Sequence, residues 1–159
     1  MEALAGQKRL TGFAVTPDGS RLAWSEHDPG DDSTRLLVAD RDLTDVWSPD
    51  GVSPRCRMHG YGGRAIWPGT RAYPWIFIQD EDQGVWALTS QGKSVPLHTV
   101  SGCRHADCDV HPSTGRLVFL QESPGEDLTR LVLLDLRSGE AVQPFAEPVP
   151  FSASSRFSP

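Results

Sequence analysis

Phe13-Ala14-Val15-Thr16-Pro17-Asp18-Gly19-Ser20-Arg21-Leu22-Ala23-Trp24 decides the fold, because its pattern returns in Cys108-Asp109-Val110-His111-Pro112-Ser113-Thr114-Gly115-Arg116-Leu117-Val118-Phe119. Each reads as two short strands around a tight turn. Asp18-Gly19 supplies the positive φ such turns demand, and Pro17 presets the dihedral before it. After each copy come an acidic loop and an outer strand at the same offset, Thr34–Asp40 against Thr129–Asp135. A weaker copy fits between them: Ala65-Ile66-Trp67-Pro68-Gly69, then Trp75–Ile78 and Val85–Leu88. Ser155-Arg156-Phe157-Ser158-Pro159 begins another. Pro17, Pro68, Pro112 and Pro159 thus recur about every 47 residues, the spacing of four-stranded β-propeller blades.

Working outward, strands are expected at Phe13–Val15, Arg21–Trp24, Arg35–Asp40, Arg64–Trp67, Trp75–Gln79, Gly84–Leu88, Cys108–Val110, Arg116–Gln121 and Thr129–Asp135. No window shows a sustained 3.6-residue apolar period, so the fold class is all-β. The blades run over approximately 12–48, 60–100 and 104–147, with the first strand of a fourth at 151–159. That is an incomplete propeller, since closed ones hold about four to eight blades. A sandwich or meander with chance recurrence of the turns competes with this reading, but the matched outer strands weigh against it. An open arc leaves a blade face and strand edges unpaired, which invites self-association.

Composition bounds the rest. Of 159 residues, 38% are hydrophobic and 23% charged, enough apolar material for a core and too much for disorder. The 15 Gly and 13 Pro suit many turns between short strands. A formal net charge of −6 gives no electrostatic reason to meet nucleic acid or an anionic membrane. Apolar runs such as Leu131–Leu134 fall far short of the ~20 residues of a membrane span. The first ten residues lack the apolar core of a secretory signal, and three cysteines form no disulfide framework. The expected compartment is therefore cytoplasmic.

Chemistry is sparse. Gly-x-Ser-x-Gly is absent, so no nucleophile elbow and no Ser–His–Asp triad can be assembled from these residues. Cys103, His105, Cys108 and His111 offer zinc-type ligands within nine residues. They interleave along one strand, and gathering them needs a bend at Asp107, so a buried thiol is the better reading and no metal or other cofactor is expected. The acidic stretches 28–32, 80–82 and 126–127 lack EF-hand spacing and read as solvated loops. Trp24, Trp47, Trp67, Trp75 and Trp86 are expected to fill blade interfaces.

Arg55-Cys56-Arg57-Met58-His59-Gly60-Tyr61-Gly62-Gly63-Arg64-Ala65 resembles the R-x-R-x-H-E-Y-G-G-G-A segment of prolyl oligopeptidase family propellers, in the acylaminoacyl-peptidase and dipeptidyl-aminopeptidase-like branch. Asp82-Gln83-Gly84-Val85-Trp86-Ala87-Leu88 is similar to the D-Q-x-x-x-L strand that follows it there. Arg104-His105-Ala106-Asp107 looks like R-Y-A-D, and 151–159 like F-Y-S-S-P-R-x-S-P-D-G. Gly60, Arg64 and His105 depart from the pattern. The resemblance implies the propeller of a two-domain serine peptidase. In such an enzyme a C-terminal α/β-hydrolase domain, absent from this chain, cleaves peptides or acyl-peptides, and the propeller restricts access. It makes His59, Tyr61, Gly62, Gly63 and Arg64 candidates for substrate gating. His59–Gly63 also looks like an oxyanion loop, but Trp67-Pro68-Gly69 and a strand follow it where a helix would be required. The alternative is a stand-alone TolB-like propeller that binds proteins or peptides.

Overall fold

In the computed structural model, residues 7–58, 64–123, 125, 128–144 and 149–150 are described. Their strands are β1 (Arg9–Val15), β2 (Arg21–Asp28), β3 (Ser33–Asp40), β4 (Val46–Trp47), β5 (Ile66–Pro68), β6 (Trp75–Ile78), β7 (Val85–Leu88), β8 (Ser94–His98), β9 (Arg104–His111), β10 (Arg116–Glu122), β11 (Leu128–Asp135), β12 (Ala141–Val142) and β13 (Val149–Pro150). Three antiparallel sheets result: β1-β2-β3-β4, β5-β6-β7-β8 and β9-β10-β11-β12, with β13 also pairing to β11. Each sheet is an up-and-down blade. The inner strands β1, β5 and β9 lie side by side, β5 between the other two. These are three blades of an incomplete β-propeller.

The turns follow from local chemistry. In the β1–β2 turn, Asp18 Oδ1 accepts hydrogen bonds from Thr16 Oγ1 (2.7 Å), Ser20 N (3.0 Å) and Ser20 Oγ (2.8 Å), and Gly19 takes φ 68°. Those donors, Thr16 first, lower the exposed Asp18 carboxyl to about 2.

The middle blade explains the core. Trp75, Ile76, Phe77 and Ile78 are all buried, without the alternation of a half-exposed strand. Trp75 and Phe77, with Ile66 and Leu88, pack on Ala14, Ala23, Leu36 and Val38 of the first blade. Ile76 and Ile78, with Trp67, Val85 and Ala87, pack on Cys108, Leu117, Phe119, Val132 and Leu134 of the third. Each fully buried large side chain contributes about 1.5–3 kcal/mol.

Three expectations need correction. Thr34–Asp40 and Thr129–Asp135, expected as outer strands, are third in their blades as β3 and β11; β4, β8 and β12 lie outside or at the edge, and β8 contains Pro96, tolerated because it lies at the sheet edge. The strand expected at Arg64–Trp67 lies instead at Ile66–Pro68. Of the five tryptophans, Trp67 and Trp75 are buried in blade junctions and Trp86 packs alongside. Trp47, in the row of Ala23 and Val38, also meets the second blade, lying over Gly92, where a Cβ would come within 3.0 Å of its indole. Trp24 is half-buried on the side of the first blade that faces away from the second.

Candidate functional site

The linker from the first blade to the second, residues 48–58, crosses the face on which β5 and β9 begin. It makes one isolated bridge, Pro54 with Gln79, and no regular strand. Its backbone groups must find other partners, and two glutamines from the β6–β7 turn supply them. Gln79 Oε1 accepts from Ser53 N (3.0 Å), and its Nε2 donates to Gly51 O (2.9 Å). Gln83 Oε1 accepts from Arg57 N (2.8 Å), and its Nε2 donates to Arg55 O and Asp80 O (both 3.0 Å). Both side chains are only 8% exposed. Gln83 itself holds φ 53°, a left-handed conformation kept by these surrounding bonds.

The third blade joins the same knot. His105 Nδ1 donates to Gln83 O (2.7 Å), and Cys56 Sγ donates to His105 O (3.5 Å). Arg104 Nη1 donates to Arg57 O (3.4 Å). Segments 55–57, 82–83 and 104–105 are far apart in sequence, yet they meet at one place. These are the segments on which the family resemblance rests, and here they form a clasp between blades.

Charge surrounds the clasp. Arg57 Nε donates to Asp80 Oδ1 at 2.6 Å, and Arg55 Nη1 to Asp32 Oδ2 at 3.0 Å. The Arg55 hydrogen bond and charge hold the Asp32 carboxyl below its ordinary range, and Asp80 raises the Arg57 guanidinium. Asp82 accepts from Gly84 N (2.9 Å) and from Trp86 Nε1. The acidic stretches at 28–32 and 80–82 therefore serve protein donors; Glu126 and Asp127 lie outside the described residues.

His105 is fully buried. Its ring meets His98 edge-on at 5.3 Å and Phe119 at 5.6 Å, while His98 Nε2 donates to Gln121 Oε1 (3.1 Å). Burial pushes the His105 pKa down, partly offset by the bond to Gln83 O. With Nδ1–H committed to that carbonyl, Nε2 is left as a buried acceptor with no hydrogen-bond partner.

The other sequence candidates are dispersed. Of the gating set, His59, Tyr61, Gly62 and Gly63 lie outside the described residues. Arg64 donates from Nε to Ile66 O (2.7 Å) and lies 5.9 Å from the Trp67 ring centroid. Asp107 takes φ 52° in a β-bulge, the bend that gathering the thiols and imidazoles would need, but the bend turns Ala106 and Cys108 into the core. Burial raises the Cys108 thiol well above its usual pKa. Cys103 Sγ donates to Ser123 Oγ (3.9 Å), and His111 Nδ1 takes the Ser113 hydroxyl (3.1 Å) as a turn cap. Among the described residues, no three His, Cys, Asp or Glu side chains are placed to hold a metal.

Two concavities flank these features. A polar pocket of about 260 Å³ lies beside the clasp, lined by Gly102, Arg104, Glu122, Ser123 and Gly125. A wider groove of about 690 Å³ lies on the opposite face, where the turns at Pro17, Arg71 and Pro112 converge. In the groove the Thr16 and Ser20 hydroxyls are committed to the Asp18 carboxylate within the β1–β2 turn. No local pattern marks the Gln79 and Gln83 bonds to the linker, which join residues remote in the chain.

Solved structures share this fold. TolB from Acinetobacter baumannii superposes with a TM-score of 0.64 at 15% identity, over 92% of this chain and 34% of that one. An oligogalacturonate lyase in complex with manganese gives 0.66 at 14% identity, over 92% of this chain and 44% of that one. The β-propeller domain of the Trilobed protease from Pyrococcus furiosus gives 0.59 at 11% identity, over 93% and 45%. The chain thus spans between a third and a half of the length of these structures. A lyase, a protease domain and TolB share one architecture, so the likeness fixes the fold alone. No protein-family model and no curated protein sequence matches the chain. Among the described residues, no helix is long and apolar enough to cross a membrane.

Proposed function

We propose that this chain is the non-catalytic propeller portion of a serine peptidase resembling the prolyl oligopeptidase family. In that role it limits which peptides or acyl-peptides reach a C-terminal hydrolase domain. The observation that carries the reading is the clasp: Arg55–Arg57, Asp82-Gln83 and Arg104-His105, the ordered segments of the resemblance, are bound to one another. A shared structural purpose accounts for their occurring together in one chain. His59, Tyr61, Gly62, Gly63 and Arg64, which follow Arg55–Arg57 in the sequence, are the gating candidates that the resemblance implies. A cytoplasmic setting accords with three buried cysteines that are not in disulfides.

The test uses the full-length protein. A fluorophosphonate probe is expected to label a serine beyond Pro159, and acyl-peptide p-nitroanilides and short peptides to be cleaved while folded proteins are spared. A full-length protein with no reactive serine and only further blades would overturn the peptidase reading and favour a TolB-like binding module. Equal cleavage of short peptides and folded proteins would remove the gating role while leaving the peptidase.

A further inference from the structure

The row of the first blade that faces the second runs Ala14, Ala23, Val38 and Trp47. The register gives the same row in the other blades: Trp67, Ile76, Ala87 and Val95 in the second, and Asp109, Val118, Leu133 and Val142 in the third. At the edge-strand place two blades hold a valine and the first holds an indole. A valine is enough to close the row between the second and third blades, where Val95 packs on the shared core. The indole therefore carries surface that the junction does not require, and 37% of Trp47 stays exposed.

That indole stands in a cleft of about 370 Å³ between the two blades. Its six-membered ring rests on the β7–β8 turn at Gly92. The first blade contributes Arg21 and Asp40, whose charges are 3.7 Å apart, together with Asp45; the second contributes Ser90 and Gln91. Arg21 and Asp40 recur in the third blade as Arg116 and Asp135 and belong to the repeat; the indole does not. The side chains of Asp45, Trp47, Ser90 and Gln91 make no hydrogen bond or ion pair with any described residue. The cleft is also continuous with the wider groove, which shares Arg21 and Ser90 with it and carries on past Arg71 to Pro112.

The lining defines the ligand. Asp40 and Asp45 accept hydrogen bonds, Arg21, the Gln91 amide and the indole N–H donate them, and the indole adds an apolar plane. Two carboxylates against one guanidinium repel an anion, and a cation would have to displace Arg21 from Asp40. A hydroxyl both donates and accepts, and a pyranose ring is an apolar C–H face bordered by hydroxyls. We propose that the cleft binds a neutral oligosaccharide. One pyranose ring lies on Trp47 with its hydroxyls towards Asp45 and Gln91, and the chain of sugars runs on into the wider groove. The inference does not depend on the peptidase reading.

Isothermal titration calorimetry of the full chain tests it with cellohexaose, xylohexaose, mannohexaose and maltohexaose, each at millimolar concentration. Trigalacturonate and a glycine–serine hexapeptide serve as controls for charge and for a peptide backbone. Saturable binding of at least one neutral oligosaccharide is expected, and of neither control. Trp47→Val places the side chain of the other two blades in the row, so far-UV circular dichroism should be unchanged while binding weakens about tenfold or more. Asp45→Ala, at a side chain with no partner to lose in the fold, should weaken binding about tenfold. No heat from any of the four oligosaccharides overturns the proposal. So does binding that Trp47→Val leaves as tight as before. Tighter binding of trigalacturonate or of the peptide than of all four overturns the choice of ligand.

Discussion

Phe77 and Phe13 occupy blades of one design, yet Phe77 is 0% exposed and Phe13 74%. Phe77 lies on a strand between two blades; Phe13 lies on a strand with a blade on one side only. The lesson is that burial here is set by neighbouring blades more than by the strand's own sequence. Phe13-Ala14-Val15 looks as strand-like as Trp75–Ile78, but its Phe13 and Val15 side chains are exposed. A blade in an arc is a layer with two sides to fill, and stability should fall off from the middle outward.

The largest expected effect breaks that contrast directly. Phe77→Ala should cost about 3–5 kcal/mol in chemical denaturation, since it leaves a cavity between packed sheets. Phe13→Ala, measured on dilute monomer, should change stability by less than about 0.5 kcal/mol. Equal costs would mean that the first blade is buried after all.

Next comes the clasp, which ties the middle and third blades and has no counterpart on the outer side of the first. Gln83→Ala strips partners from Arg57 N–H and from the Arg55 and Asp80 carbonyls, at a cost of about 2 kcal/mol. Denaturation compared with an exposed control, Gln91→Ala, checks it. Indistinguishable midpoints would deny the clasp any role in stability.

A smaller effect depends on pH. The row His105, Gln121, Arg130 in the third blade matches Leu10, Glu26, Arg35 in the first, so a buried imidazole stands where the first blade has an exposed leucine. Burial lowers the His105 pKa below its ordinary 6.5, so the folded state binds the proton less well than the unfolded chain does. That contribution is complete above 6.5 and is lost as the pH falls below it. Thermal midpoints should therefore drop on acidification from about pH 7 towards pH 5, and His105→Gln should drop less. Parallel curves would exclude His105 as the source.

The smallest concerns the turns. Asp18 in the first blade should titrate near 2 by NMR, because Thr16 and Ser20 donate to its carboxylate; the third blade has uncharged Ser113 at the matching place. An ordinary titration would show that the turn bonds do not persist in solution.

Much of the fold was legible because a repeat writes the same physics several times. The Pro17–Gly19 and Pro112–Gly115 turns and the apolar pairs Leu22/Trp24 and Leu117/Phe119 place the first two strands of those blades without any long-range information. The outer strands were not legible: Val46-Trp47 and Ala141-Val142 pair over two residues each, too short for any period to show. Trp24 is assigned to a blade interface by type, whereas its exposure depends on which neighbour is present. The site was legible only as separate segments. That Gln83 reaches Arg57, and that Cys56 reaches His105 across 49 residues, depends on blades curving together, which no local pattern encodes.

Amide hydrogen exchange on the dilute chain tests the central contrast most directly. The account predicts slow exchange for β6 (Trp75–Ile78) and much faster exchange for β1 (Arg9–Val15). Equal protection of β1 and β6 in the dilute monomer would contradict it.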